Sequence, residues 1–218
     1  MKAIGINGSP RKTWNTAMLL EKALEGARSK GADTKLVHLY GLSYKGCISC
    51  FACKEVGGKS YGRCAAKDEL SPLLEEISRA DVLIIGSPIY FRTETGETRS
   101  FLERLLFPYL TYTPGYQPIF PGKLQTGLIY TMNVKEQDLP AYGQDSSTAA
   151  SRGTMTRIFG NCEMLLSTDT LQFPDYSKYL CTAFDPAAKA DRRREVFPKD
   201  CEKAFELGAR LVAAAMEK

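Results

Sequence analysis

The chain has 218 residues, 44% hydrophobic and 25% charged, with a net charge of +4. That length is enough for a substantial core without covalent staples. The charge is too mild for a nucleic-acid binder, and no basic run exceeds Arg192-Arg193-Arg194, which reads as a solvated helix face. No stretch approaches the roughly 20 apolar residues of a membrane span, the N-terminal segment is expected to enter a strand directly rather than to read as a signal peptide, and the only histidine, His38, rules out a site relying on several histidines. Seven cysteines, an odd number, argue against a disulfide framework and for metal, redox or buried roles in a reducing, cytoplasmic setting.

Lys2 to Ile6 is a near-continuous apolar run, the pattern of a parallel strand buried on both faces. It leads directly into a polar turn carrying Gly8, Ser9, Arg11 and Lys12. Asn15 or Thr16 is placed to cap the helix that follows. Over 16–30 that helix puts Ala17, Leu20, Leu24 and Ala27 on one face and ends at Gly31. A helix N-terminus offers unpaired N–H groups and the positive end of a dipole, so the turn reads as a phosphate seat. G-x-x-x-x-G-K-[ST] and G-x-G-x-x-G are both absent, and no acidic residue follows the second strand at Leu39-Tyr40. A terminal monophosphate therefore suits the seat better than a triphosphate or a dinucleotide. An ordinary strand–turn–helix corner with surface charge is the plain alternative.

A second strand is expected over Thr34 to Tyr40, with His38 packed inside it, then a loop with Cys47, Cys50, Cys53 and Cys64. Asp68 to Ala80 makes a helix with Leu70, Leu73, Leu74 and Ile77 inward, and Asp81 to Ile85 is the clearest buried strand. It ends in a turn, Gly86-Ser87-Pro88-Ile89-Tyr90-Phe91, where Tyr90 and Phe91 are placed to flank a flat ring. A helix from Gly96 to Phe107 lines up Thr98, Phe101, Leu102 and Leu105. An aromatic insertion over 107–123 follows, whose Tyr109, Tyr112, Tyr116 and Phe120 read as a dimer contact or an acceptor pocket. A fourth strand (Leu124 to Met132), a helix within Tyr142 to Cys162 and a fifth strand within Glu163 to Phe173 come next. A polar connector then leads to a helix from Lys199, with Phe205, Ala209, Val212 and Met216 aligned.

Alternating strands and helices predict a single α/β domain over 1–218, with a Cys-bearing loop at 41–67. Its core is a three-layer sandwich around a doubly wound, five-stranded parallel sheet ordered 2-1-3-4-5. Ligands of such sheets bind beyond the carboxyl ends of the strands where the winding reverses, here between strands one and three. The turns around Ser9–Thr16 and Ser87–Phe91 therefore meet at one crevice.

Gly8-Ser9-Pro10-Arg11 with Asn15-Thr16, Gly86-Ser87-Pro88-Ile89-Tyr90, and Gly96 leading to Phe101-Leu102-Glu103-Arg104 resemble the flavodoxin-like, NADPH-dependent FMN reductase family. With the cysteines before Lys67-Asp68-Glu69-Leu70, the likeness is greatest to its iron–sulfur flavoprotein branch. It runs from Met1 to about Met132 and more loosely beyond. The resemblance implies FMN, with Ser9, Arg11, Lys12, Asn15 and Thr16 at the phosphate. It places Ser87, Pro88, Ile89, Tyr90 and Phe91 against the isoalloxazine, and Thr131, Met132 and Asn133 at a third flavin loop. Many relatives carry glycines in that third loop and this sequence does not. Trp14 stands where a small residue is common and reads as a flavin shield, a subunit contact or simple packing.

Cys47-x-x-Cys50-x-x-Cys53 with Cys64 supplies the four thiolates of a [4Fe–4S] cluster. The interval Glu55 to Arg63 is longer than the compact cluster motif of that branch, although Gly57, Gly58 and Gly62 would let it bulge out. Zinc is a competing occupant. A metal-free loop is preferred to a cluster, and a cluster to zinc; Cys162, Cys181 and Cys201 read as packing residues. With FMN the chemistry belongs to the flavin and no side-chain acid or base is required. Three functions follow. One is an NAD(P)H-dependent FMN oxidoreductase reducing a quinone, a nitro or azo compound, or free flavin, as a homodimer or homotetramer. Another is an electron carrier fed by ferredoxin through a cluster. The last is a flavin- or thiol-based redox sensor.

Overall fold

The structure, a computed structural model, describes residues 1–141 and 143–217, and of 144–146 the backbone only. Tyr142, where the fourth expected helical segment begins, lies outside the described residues. Strands β1 (Lys2–Asn7), β2 (Asp33–His38), β3 (Val82–Tyr90), β5 (Gln125–Thr131) and β6 (Glu163–Ser167) form a parallel sheet ordered β2-β1-β3-β5-β6. This is the predicted 2-1-3-4-5 order, with one short antiparallel strand, β4 (Thr93–Glu94), added against the end of β3. Leu39 and Tyr40, expected in strand two, lie instead in a 3₁₀ turn over Leu39–Gly41, and the fifth parallel strand stops at Ser167.

Helices α1 (Asn15–Ser29) and α6 (Phe197–Met216) cover one face of the sheet. Helices α2 (Leu70–Ile77), α3 (Gly96–Leu106) and α4 (Gln144–Phe159) cover the other. Val82 to Ile85 are fully buried because β3 is central and packs on both layers, each such side chain stabilising by about 1.5–3 kcal/mol. The α1–α6 contact is set by two glycines. A Cβ at Gly26 would lie 1.9 Å from the Phe205 carbonyl oxygen, and one at Gly208 would lie 1.8 Å from that of Ala23. Backbone therefore meets backbone, and the buried seam of α6 is Ala204, Leu207, Gly208, Leu211 and Val212. The expected stripe of Phe205, Ala209, Val212 and Met216 is corrected accordingly: Val212 is buried, while Phe205 and Met216 are exposed.

Three further expectations change. β3 does not stop at Ile85 but runs nine residues to Tyr90, because Pro88 lies beyond the last β1–β3 pair, where its missing N–H leaves no gap in that ladder. The stretch 86–91 is thus mostly strand, and the turn sits at Phe91 and Arg92, both at positive φ (50° and 72°). The polar connector contains a helix, α5 (Pro186–Glu195), capped by the Asp185 carboxylate, which accepts from the Ala187 N–H. Only Arg194 of its three arginines is a solvated face. Arg192 pairs with Asp200 at 2.5 Å, and Arg193 lies 3.9 Å over the Phe197 ring. In the aromatic insertion, Tyr109 and Phe120 turn into this chain's own core against Phe159, leaving Tyr112 and Tyr116 exposed.

Candidate functional site

At the carboxyl ends of β1, β3 and β5 three loops surround one crevice. It is lined by Ser9, Arg11, Trp14, Asn15 and Thr16, by Pro88, Ile89 and Tyr90, by Thr131, Met132 and Asn133, and by Thr170 to Phe173. Its enclosed part is about 150 Å³. That is less than the roughly 300–1,000 Å³ of pockets that swallow a whole ligand, so a ligand seated there keeps part of itself in solvent.

The first loop is braced internally. Gly8 N–H donates to the Gly86 carbonyl (2.8 Å), Thr95 Oγ1 donates to the Gly8 carbonyl (2.7 Å), Ser9 N–H donates to Asn7 Oδ1 (3.0 Å) and Arg11 N–H to Ser9 Oγ (3.1 Å). The N-cap of α1 is Trp14, not Asn15 or Thr16 as expected, and it contributes no side-chain capping bond. Asn15 and Thr16 lie inside the first turn, with the early N–H groups of the helix left without a cap, which is what an anion seat requires. Both side chains reach across instead. Thr16 Oγ1 meets Thr131 Oγ1 at 2.8 Å, joining the first loop to the third, and Asn15 Nδ2 donates to the Leu171 carbonyl at 2.9 Å. Trp14 Nε1 donates to the same carbonyl (3.1 Å) and Arg11 Nη1 to that of Gln172 (2.5 Å).

Of the expected residues, three do not line the crevice. Lys12 is exposed outside it. Ser87 is fully buried and turned inward, its Oγ accepting from Thr95 N–H (3.2 Å) and Thr98 Oγ1 (3.3 Å). Phe91 is fully exposed at the tip of the β3–β4 hairpin, away from the lining. The hairpin is rooted by Glu94, 4% exposed, whose Oε1 accepts from Tyr130 Oη and Ser151 Oγ, each at 2.6 Å. Burial alone would push the Glu94 carboxyl up, but the hydrogen bonds from Ser151 and Tyr130 outweigh it and hold it below the ordinary range. Burial likewise drives the Tyr130 phenol far above its usual value.

Sequence reasoning missed Thr170 to Phe173 and the two α5 cations behind the crevice. Thr170 N–H donates to the Met132 carbonyl (3.0 Å) and Asn133 Nδ2 to Gln172 Oε1 (3.1 Å). Lys189 Nζ donates to Asn133 and Asp169, and Arg193 Nη1 donates to Asn15 Oδ1 at 2.8 Å. A signal existed for both. Thr170 to Phe173 follow a strand at the ligand-binding edge, and Asp185-Pro186 is a cap followed by a first-turn proline.

The four loop cysteines converge on one apolar recess, lined also by Phe51, Phe107 and Arg104. Cys53 is buried, Cys64 half-buried, and Cys47 and Cys50 exposed; the long interval bulges out, closed by Gly62 N–H donating to the Cys53 carbonyl (3.0 Å). Arg104, buried, donates through Nε to Cys64 Sγ (3.2 Å) and grips both Asp68 oxygens, which holds the Asp68 carboxyl below its usual range. Burial pushes the Cys53 thiol up. The recess has about 20 Å³ of free volume, room for about one water and not for a cluster. Among the described residues no three or more Cys, His, Asp or Glu stand close enough together to hold a metal ion, so the four thiols share a recess without forming a preassembled site.

The family described as NADPH-dependent FMN reductase matches residues 1–126. An iron–sulfur flavoprotein of Archaeoglobus fulgidus is 29% identical over 143 residues, 65% of this chain and 60% of that protein. One of Methanosarcina thermophila is 29% identical over 104 residues, 48% of this chain and 52% of its own. The chain thus spans about half the length of the curated relatives it matches. Among solved structures, an NAD(P)H:quinone oxidoreductase from Methanothermobacter marburgensis superposes with a TM-score of 0.68 at 16% identity, covering 97% of this chain and 96% of that one. An FMN-dependent NADH-azoreductase from Bacillus anthracis, solved in complex with FMN, gives 0.65 at 12% identity, covering 97% and 100%. At these identities the structural likeness establishes the fold, a flavodoxin-like sandwich.

Proposed function

The chain belongs to the NADPH-dependent FMN reductase family, and on that footing we propose that it is an FMN-dependent oxidoreductase. In this reading it takes electrons from NADH or NADPH and passes them to a small acceptor of the quinone, nitro, azo or free-flavin class. The observation that supports it is the meeting of three loop ends, after β1, β3 and β5, on one crevice. The residues there fit the group. An uncapped helix start with Ser9 and Arg11 suits a phosphate, and Pro88, Ile89, Tyr90 and Met132 offer a flat apolar wall. FMN, when bound, supplies hydride acceptance and one- or two-electron release. The chain's own residues bind and orient: Ser9, Arg11 and the first α1 N–H groups hold the phosphate, Asn15 and Thr16 tie that seat to Leu171 and Thr131, and Tyr90 and Pro88 bear on the ring.

Anaerobic purification with an absorption spectrum tests this. A yellow protein with stoichiometric FMN, bleached by NADPH or NADH and recoloured by a quinone, is expected. A colourless protein that refuses FMN at high micromolar concentration sinks it. The exposed Phe91, Tyr112 and Tyr116 support a homodimer or homotetramer, against which a monomeric mass in solution would count. A second reading, a ferredoxin-linked carrier with a cluster, is favoured by one observation, the four thiols on a common recess. It requires that recess to open. Stoichiometric iron, with bleaching only by reduced ferredoxin, would support it over the first.

A further inference from the structure

We infer that Lys189 and Arg193, one turn apart on α5, are positioning residues for the crevice, and that each charge of the Lys189–Asp169 pair cancels the shift its partner alone would impose on the reduction potential of the flavin held there. The second clause rests on the FMN reading above. The matched family segment ends at residue 126, so α5 at Pro186–Glu195 belongs to the part of the chain that the family match does not describe.

Lys189 is 3% exposed, and a buried ammonium is costly unless its donors are all met. It is met fully. Nζ donates to the Asn133 carbonyl (3.3 Å), to Asn133 Oδ1 and to Asp169 Oδ1, and lies 4.8 Å over the Phe184 ring. Asn133 lines the crevice, so the ammonium stands one side chain behind its wall. Asp169 is held in the left-handed region (φ 50°) with its N–H on the Val134 carbonyl (2.8 Å). Four residues on, at the spacing that shares a helix face, Arg193 stacks on Phe197 (3.9 Å), approaches Trp14 (5.9 Å) and donates to Asn15 Oδ1. The other end of that amide donates to Leu171, so the Asn15 side chain is fixed from both sides. One helix thus fastens the crevice wall at the third loop and at the phosphate loop together.

The two cations differ in what they do to a bound flavin. Reduced FMN carries more negative charge than oxidised FMN, so an uncompensated charge at either position shifts the potential with its own sign, screened least for the buried Lys189 and more for the partly exposed Asp169. Lys189→Met leaves the Asp169 carboxylate alone and makes reduction harder. Asp169→Asn leaves the ammonium alone and makes it easier, with asparagine tolerating the left-handed backbone. The double variant, neutral at both positions, returns towards wild type. Arg193 already lies at the phosphate end, and Arg193→Met weakens binding of both oxidation states alike.

The test compares wild type, Lys189→Met, Asp169→Asn, the double variant and Arg193→Met by FMN titration, midpoint potential of bound FMN and Tm. A tenfold change in relative affinity for the two oxidation states corresponds to about 30 mV for a two-electron couple, and shifts of that order with opposite signs are expected for the single variants. Both singles lower Tm, so a purely structural role would move them together. Arg193→Met is expected to weaken FMN about tenfold with the potential unchanged. Shifts of one sign, no shift, or unaltered FMN binding by Arg193→Met overturns the inference; so does a double variant that stays displaced like a single one. If wild type binds no FMN, the function proposed above falls. Hydrogen exchange without FMN then decides the positioning role: faster exchange of the Met132 and Thr170 amides in Lys189→Met supports it, and unchanged exchange overturns it.

Discussion

The first loop and the β3–β4 hairpin border the same crevice and are built in opposite ways. The first loop is braced inside the fold at Gly8 by Gly86 and Thr95, at Ser9 by Asn7 and Arg11, and at Asn15 by Leu171 and Arg193, which leaves the early helix N–H groups facing the crevice without a cap. The hairpin is answered chiefly at its root, through Glu94, Thr95 and Ser87, with the Ser147 hydroxyl donating to the Arg92 carbonyl nearer the tip. Its tip is two consecutive non-glycine residues at positive φ, with Phe91 fully in solvent. A site that must hold an anion gains from preformed donors, because ordering them at binding would cost affinity. A site that must admit and release a ring gains from an open edge. The pairing teaches where rigidity and strain are divided along one ligand.

The largest effect is expected at the hairpin root. Glu94→Ala leaves the Tyr130 and Ser151 hydroxyls buried without an acceptor, at roughly 1–3 kcal/mol each, so about 3 kcal/mol in total is expected from denaturant unfolding. If Glu94→Ala unfolds like wild type, the root is not what holds the hairpin and the contrast fails. Next is Gly8→Ala. Its Cβ would stand 1.9 Å from Thr98 Oγ1 and 3.1 Å from the Gly86 carbonyl. Thr98 is fully buried and bonded to Thr95 and Ser87, so the neighbour cannot swing away. A loss of about 2 kcal/mol is expected, with FMN affinity falling in the same variant, since the loop that carries Ser9 must shift.

Much of this contrast could be read before the fold was known, and the exceptions have causes. β1 and β3 are legible because burial on both faces removes polar residues from them, and strand order follows from right-handed crossovers. Ten of the thirteen expected cofactor residues line the crevice because they sit at strand ends, which topology brings together whatever the side chains do. The inward turn of the Ser87 hydroxyl was not legible because it follows from the strand continuing through Pro88, which alternates its side chains. α5 was invisible to periodicity because its one buried side chain is a lysine. The α6 face was misread because two glycines, which carry no hydrophobic signal, set the helix contact.

The strained tip gives a sharper test. Phe91 and Arg92 form a two-residue turn between Tyr90 and Thr93, a position that favours Asn-Gly. Phe91→Asn with Arg92→Gly relieves two left-handed non-glycine residues and is expected to stabilise the fold by about 1 kcal/mol, read as a raised Tm. Turnover with a quinone should fall in the same protein if the exposed ring covers the flavin of this or a second copy. A variant that is both more stable and fully active would mean that the tip is merely tolerated strain.

The smallest effect links pH to the first loop through the lone histidine. Asn7 Nδ2 donates to His38 Nδ1 (2.9 Å), which places the imidazole proton on Nε2, while Asn7 Oδ1 accepts from Ser9 N–H. Burial lowers the His38 pKa, Lys12 lowers it further, and Glu21 acts the other way. Because the folded value lies below the unfolded one, the unfolded chain takes up the proton first, and stability, complete above about pH 6.5, declines as pH falls below it. Protonated Nδ1 can no longer accept from Asn7, so the amide must flip or separate, and either movement takes Oδ1 away from Ser9. FMN affinity should therefore weaken on acidification in step with the loss of stability. Replacing His38 with glutamine should flatten the dependence of both on pH between about 5 and 7, whereas an equal slope in that variant would show that the first loop is insulated from its only titrating neighbour in this range.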